Sequence, residues 1–246
     1  MSFDARRTAD ELESSLARVG TPERAAGEKR YLKSDLVHLG TTVPDNRAIV
    51  RAFAREHRDL SHDQLYALIG ALWSRRIFDC RFGCGLLLED YPELVTPADL
   101  DTLQGLIRDS RTWALVDLFA ADVIGKLLLR HPDAAGELDS WAADDDFWVR
   151  RSALLAQLRP LKDGASFNRF ARYADAMLDE REFFIRKAIG WVLRDTAKRD
   201  PDVVYDWLGP RIGRASGVTV REAVKYLDPH RREELLAAYR ARGKGH

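Results

Sequence analysis

An internal repeat constrains this chain more than any other feature. FWVRRSALLAQL, beginning at Phe147, aligns with FFIRKAIGWVLR, beginning at Phe183, at a shift of 36 residues. Aromatic, aromatic, β-branched, Arg, basic, small and apolar positions match in turn. Thr112-Trp113-Ala114-Leu115, 35 residues upstream of the first copy, falls in the same register more loosely. A helical period of about 35–45 residues is the mark of stacked helix pairs, because one pair cannot bury its apolar face without a neighbour. The expectation is an all-α solenoid with one concave side.

The rest of the 246 residues agrees with it. In LYALIGALW (Leu65 to Trp73) and in WALVDLFAADVIGKLLL from Trp113, apolar residues recur at three and four. No segment alternates with period two, so no strand is expected. Thr21-Pro22, Thr96-Pro97, Asp200-Pro201 and Asp228-Pro229 each set a capping residue before a proline at the first helical position. The spacing of such signals predicts about fourteen helices of three to four turns. No Gly/Ser-rich linker divides the chain, which predicts a single domain over 1–246.

Composition narrows the class. With 46% hydrophobic and 32% charged residues, the chain is neither disordered nor membrane-embedded. No apolar run approaches the ~18 residues of a membrane span, and MSFDARRTADELES lacks the apolar core of a secretion signal. Cys80 and Cys84 are the two cysteines, too few for a disulfide framework. The expectation is a soluble cytoplasmic protein.

The net charge of zero conceals a polarity. Residues 1–146 hold 18 basic against 26 acidic side chains, and residues 147–246 hold 21 against 13. Arginines number 31 and lysines 8. The planar guanidinium suits phosphate recognition, so an Arg-rich basic half is consistent with a nucleic-acid partner. A GC-rich genome, which raises Arg and Ala everywhere, accounts for the same composition.

Several chemistries find no motif here. There is no glycine-rich phosphate loop, HExxH, CxxC pair or GxSxG. Cys80 and Cys84 share a helix face with no ligands to complete a zinc site, so core packing is expected. The six histidines are scattered, and surface or cap positions are expected for all of them. Trp113 and Asp117, by contrast, stand at i,i+4 on one helix face. A carboxylate among Leu115, Val116, Leu118 and Phe119 needs a partner or a task. Pairing with an Arg of a neighbouring repeat is the structural alternative. Trp148 with Arg151 and Trp191 with Arg194 are two aromatic-plus-arginine pairs at i,i+3, amid Arg150, Arg159, Lys162, Arg186, Lys187 and Lys198. Such pairs fit either inter-helix packing or a surface that tracks a nucleic-acid backbone.

The run EFFIRKAIGWVLRDTAKRDPDVV (Glu182 to Val204) closely resembles the AlkD-type DNA alkylation repair glycosylases. RYLKSDLVHLGTTVP (Arg30 to Pro44), SRTWALVD (Ser110 to Asp117) and DDDFWVRRSALLAQL (Asp144 to Leu158) follow the same family in order and spacing. The resemblance covers almost the whole chain. It implies a curved stack of HEAT-like helix pairs with a concave basic face for DNA. It also implies that Asp117 is the catalytic carboxylate, that Trp113 and Trp191 are the active-site tryptophans, and that Arg151 supports them and contacts the backbone. Tyr31 matches the family's DNA-facing tyrosine; Arg47, Trp148, Arg150, Arg159, Lys162, Lys187 and Arg194 complete the expected DNA surface. Two features depart from the pattern: Thr112 stands where close relatives carry a second tryptophan, and the Cys80–Gly85 segment is small and glycine-rich.

The implied activity is hydrolysis of the N-glycosidic bond of N3- or N7-alkylated purines in duplex DNA, without base flipping, by a monomer using neither metal nor cofactor. A self-resistance glycosylase for bulky natural-product adducts and a non-catalytic helical-repeat binding module are the alternatives. The second is disfavoured by the presence of Asp117 with both tryptophans.

Overall fold

The computed structural model describes residues 3–242. These residues are helical almost throughout, and the extended pairing among them is an isolated bridge between Val37 and Ile77. Sixteen α-helices occur in the described residues, against the fourteen expected. The surplus arises where one apolar run breaks into pieces. The run from Trp113, for example, forms a short α-helix, a π-helical stretch over Leu118–Ile124 and a second short α-helix. No helix of the described residues is long and apolar enough to cross a membrane. The chain divides into two compact units, Met1–Phe119 and Ala120–His246.

The first unit contains α1 (Ala5–Val19), α2 (Pro22–Leu32), α3 (Val43–Glu56), α4 (His62–Trp73), α5 (Phe78–Asp90), α6 (Leu100–Ser110) and α7 (Trp113–Asp117). Its first four helices begin where short polar side chains accept orphan N–H groups: Asp4, Thr21 and Thr42 cap α1, α2 and α3, and Ser61 with Gln64 forms a capping box on α4. Leu65, Leu68, Leu72, Leu86, Leu87, Leu103, Ile107 and Leu115 are fully buried. Burying each such side chain stabilises the fold by about 2 kcal/mol before entropy.

The segment Cys80–Gly85 lies inside α5, buried except at Phe82. A side chain at Gly85 would meet the Leu118 methyl at 2.5 Å, so its absence is what lets these helices approach. Both cysteines are core residues, as expected, and burial pushes the Cys80 thiol up to about 12. The loop between α2 and α3 is held by a buried carboxylate: Asp79 accepts from the backbone N–H of Leu39 at 2.7 Å and of Thr41 at 2.8 Å. Gly40 makes this turn possible, with φ of +80° and the Thr21 carbonyl 2.2 Å from where a Cβ would stand.

The second unit contains α8 (Gly125–Arg130), α9 (Leu138–Trp141), α10 (Phe147–Leu155), α11 (Leu158–Lys162), α12 (Asn168–Met177), α13 (Phe183–Ala197), α14 (Pro201–Leu208), α15 (Gly217–Ala223) and α16 (Pro229–Arg242). Here the sequence repeat becomes a structural one. Phe147 and Phe183 each open a helix, and each is preceded by an acidic cap that accepts the N–H two residues on: Asp146 from Trp148 at 2.7 Å, Glu182 from Phe184 at 3.1 Å. Helix α13 packs on α10 and α15, and its Ile185, Ile189, Val192 and Leu193 are fully buried.

Candidate active site

In the first unit, Trp113 and Asp117 are the first and last residues of α7, both half-buried. Their i,i+4 spacing survives as one helical turn. Immediately beyond Asp117 the hydrogen bonding changes to the π pattern. Such stretches are uncommon and recur at functional sites. Tyr31, next to last in α2, is 74% exposed. Its ring meets Trp113 edge-on, centroids 6.0 Å apart and planes at 88°. Lys29, Arg30 and Lys33 surround Tyr31 in sequence and are exposed.

Thr112 is buried at the N-cap of α7 and gives no side-chain cap bond; its Oγ1 has no partner. Where Trp113 sits is set by what precedes it. Arg81, 2% exposed, donates from Nε to the Trp73 carbonyl and from its terminal nitrogens to the Asp109 carbonyl and carboxylate, the latter at 2.8 Å. Its guanidinium lies 4.4 Å over the Trp73 ring, and Trp73 Nε1 donates to Asp109 at 2.8 Å. The C-terminal ends of α4 and α6 are thereby tied together, four residues before Trp113. Nothing in the sequence marks Arg81 for this task, because its partners lie 8 and 28 residues away.

In the second unit, Trp191 is half-buried midway along α13. Arg151 is 2% exposed and donates to the Phe184 carbonyl, with its guanidinium 5.8 Å over the Phe184 ring. So deeply placed, it presents almost no surface to a phosphate, and backbone contact is replaced by support of α13. Trp148 also departs from expectation: at 8% exposure it belongs to the core, 4.4 Å from Phe147 and 4.8 Å from Phe184 between ring centroids.

The expected basic surface is largely neutralised within each unit. Arg150 makes a two-pronged pair with Glu180 at 2.9 and 2.8 Å and also donates to the carbonyls of Asp144 and Asp145. Arg159 pairs with Asp122, Arg194 with Glu222, and Arg47 with Glu89 at 2.8 Å. Each partner is 28 to 42 residues away in the chain, so these pairs join segments that are remote in sequence. Lys162 and Lys187 are the exceptions: both are exposed, and among the described residues neither is ion-paired, Lys187 instead lying 5.8 Å over the Phe183 ring.

One cluster escaped the sequence reading. His38, expected at the surface or a cap, is buried, stacked on Phe78 at 4.7 Å with its Nδ1 3.0 Å from Glu28. Ligand atoms of Glu28, His38 and Asp79 lie within 4.8 Å of one another. Both Asp79 oxygens already accept backbone N–H groups, so the cluster serves to clamp the α2–α3 loop. Above it opens a cavity of about 680 Å³ whose walls include Tyr31, Phe78, Phe82 and Trp113.

A family model described as DNA alkylation repair enzyme matches residues 12–227. Among solved structures, one from Enterococcus faecalis, described as a predicted DNA alkylation repair enzyme, is 25% identical; the match covers 85% of this chain and 97% of that one with a TM-score of 0.76. AlkD2 from Streptococcus mutans is 14% identical, with 92% and 100% covered and a TM-score of 0.65. The Streptococcus mutans UA159 protein smu.31 is 13% identical, with 98% and 99% covered and a TM-score of 0.56. The last two likenesses establish the helical-repeat fold. No curated protein matches the chain.

Proposed function

The chain belongs to the DNA alkylation repair enzyme family, and from that premise we propose that it is a monofunctional DNA glycosylase acting as a monomer on N3- and N7-alkylated purines in duplex DNA. Asp117 is the catalytic carboxylate. The observation that carries this assignment is its place at the end of the turn that begins with Trp113, half-buried in an apolar helix and followed at once by the π-helical stretch.

An alkylated purine of this kind bears a formal positive charge and leaves without protonation. When the C1′–N bond breaks, its electron pair goes to the base and positive charge develops on the sugar. A carboxylate near that centre stabilises it electrostatically and orients a water, whose oxygen bonds to C1′ as its proton passes to solvent. A single carboxylate suffices, unlike the pair that glycoside hydrolases need to protonate a poor leaving group. The ring faces of Trp113 and Trp191 are electron-rich and favour the developing cation. Arg151 holds α13, which carries Trp191. Selection rests on lability and charge, so the base stays in the duplex, an exception to the extrusion used by most enzymes that act on bases. The product is an abasic site.

The test is incubation of the protein, and of Asp117→Asn, with duplex DNA carrying a single 7-methylguanine, followed by scoring of alkali-labile sites. Release by the wild type with near-complete loss in the variant is expected. No release by either protein on this lesion, with release of a bulky adduct, would move the assignment to a specialised enzyme. Failure on both would leave a DNA-binding module.

A further inference from the structure

The cavity beside Tyr31 and Trp113 carries chemistry that a phosphate-tracking surface does not use. At about 680 Å³ it has the size of a small-molecule site. Tyr31, Phe78, Phe82 and Trp113 are its aromatic walls, and its charged side chains are Glu23, Glu28 and Asp79 against Arg24, which lies 3.6 Å from Glu28. Both Asp79 oxygens are taken by backbone N–H groups, so Glu23 and Glu28 are the carboxylates left to face a cation.

Two further observations point to a ligand. Gly27 lies in the middle of α2, where glycine weakens a helix. Its φ is not positive, and a Cβ there would meet nothing within 4 Å. Neither a turn nor close packing calls for glycine; what the missing side chain leaves is room in the cavity it lines. Asn46, 2% exposed, is another wall residue. Its Nδ2 donates to the Asp79 carbonyl at 2.9 Å, while its buried Oδ1 has no partner. A buried acceptor without a donor is rare and demands an explanation. An N–H group of a bound molecule supplies one.

We propose that this cavity binds a planar organic cation bearing N–H donors, of the aryl amidinium type. The charge faces the Glu28 carboxylate, the ring lies against the aromatic walls, and an N–H group meets Asn46 Oδ1. The site takes one wall, Trp113, from the proposed glycosylase site, but binding there involves no glycosylase step. It shares Tyr31 and Trp113 with the proposed DNA surface, so occupancy competes with DNA for those two side chains.

Calorimetric titration of the full chain with benzamidine, in the absence of DNA, tests this without reference to catalysis. Saturable single-site binding is expected, with the neutral isostere benzamide weaker by about tenfold or more, the worth of a charge-assisted contact. Glu28→Gln lowers benzamidine affinity by a similar factor. Gly27→Leu fills the cavity with a better helix former and abolishes binding while leaving the helical signal and Tm undiminished. The proposal is overturned if benzamidine fails to saturate the wild type up to its solubility, if benzamide binds equally well, or if a folded Gly27→Leu protein binds as the wild type does. Should Gly27→Leu not fold, Glu28→Gln and the benzamide comparison decide.

Discussion

The buried guanidinium of Arg151 donates to the backbone carbonyl of Phe184, in the first turn of the helix that carries Trp191 seven residues further on. A cation in the core thus fixes the start of α13 to α10. Arg151→Lys keeps the charge but cannot hold the same fork geometry. The expected result is a loss of about 2 kcal/mol of stability by urea unfolding, the worth of a hydrogen bond to a charged group. Glycosylase activity falls further than stability predicts, because Trp191 is displaced. Unchanged unfolding in this variant would remove the positioning role.

The Arg81–Asp109 pair yields an ordering rather than a single value. Asp109 is 44% exposed while Arg81 is 3% exposed at the side chain, and burial pulls the arginine pKa below its usual value. Asp109→Ala leaves a buried charge without its carboxylate and costs about 3 kcal/mol. Arg81→Met removes that charge together with its need for a partner, and so costs less. Parallel denaturation curves check the order; the reverse order would show that the guanidinium's bonds to the Trp73 and Asp109 carbonyls dominate.

Salt dependence separates phosphate contacts from structural arginines. Lys162 and Lys187 are exposed and without an acidic partner among the described residues, whereas Arg150 is held by Glu180. The Lys162→Ala, Lys187→Ala double variant is expected to reduce the slope of log K against log salt for duplex binding by about 2. Arg150→Ala leaves the slope near the wild-type value and instead lowers Tm. Tyr31→Ala, at an exposed ring, leaves stability within about 0.5 kcal/mol but weakens DNA binding.

A pH effect follows from His62. Its Nε2 lies 2.8 Å from Asp99, and that hydrogen bond holds the imidazole pKa above its ordinary value. A raised pKa favours the folded state while the imidazole is charged. The contribution is therefore complete below about pH 6.5, the unfolded value, and disappears as pH rises through the elevated folded value. The side chain is 43% exposed, so the effect is small. The Tm difference between wild type and His62→Gln is expected to be greatest in mildly acidic buffer and absent in alkaline buffer. A difference that grows with pH would contradict the pairing.

How much of this was legible in the sequence depends on the distance over which the deciding contact acts. The helices, their caps at Thr21, Asp200 and Asp228, the opening of helices at Phe147 and Phe183, and the shared turn of Trp113 and Asp117 were all readable, because capping and helical periodicity act within four residues. Burial and pairing act between segments far apart in the chain. Arg150 finds Glu180 30 residues away, Arg194 finds Glu222 28 away, and Asp79 reaches back 38 to Thr41. A sequence offers many acids at such separations and does not say which one the fold brings near. Hence an arginine that reads as a phosphate ligand becomes an interhelical clasp, Trp148 becomes core, and His38 is enclosed. The local code determined the array of helices and the place of the candidate carboxylate. Tertiary packing alone decided which charges remain for a partner and where a cavity stays open, because both depend on what neighbouring helices leave unfilled.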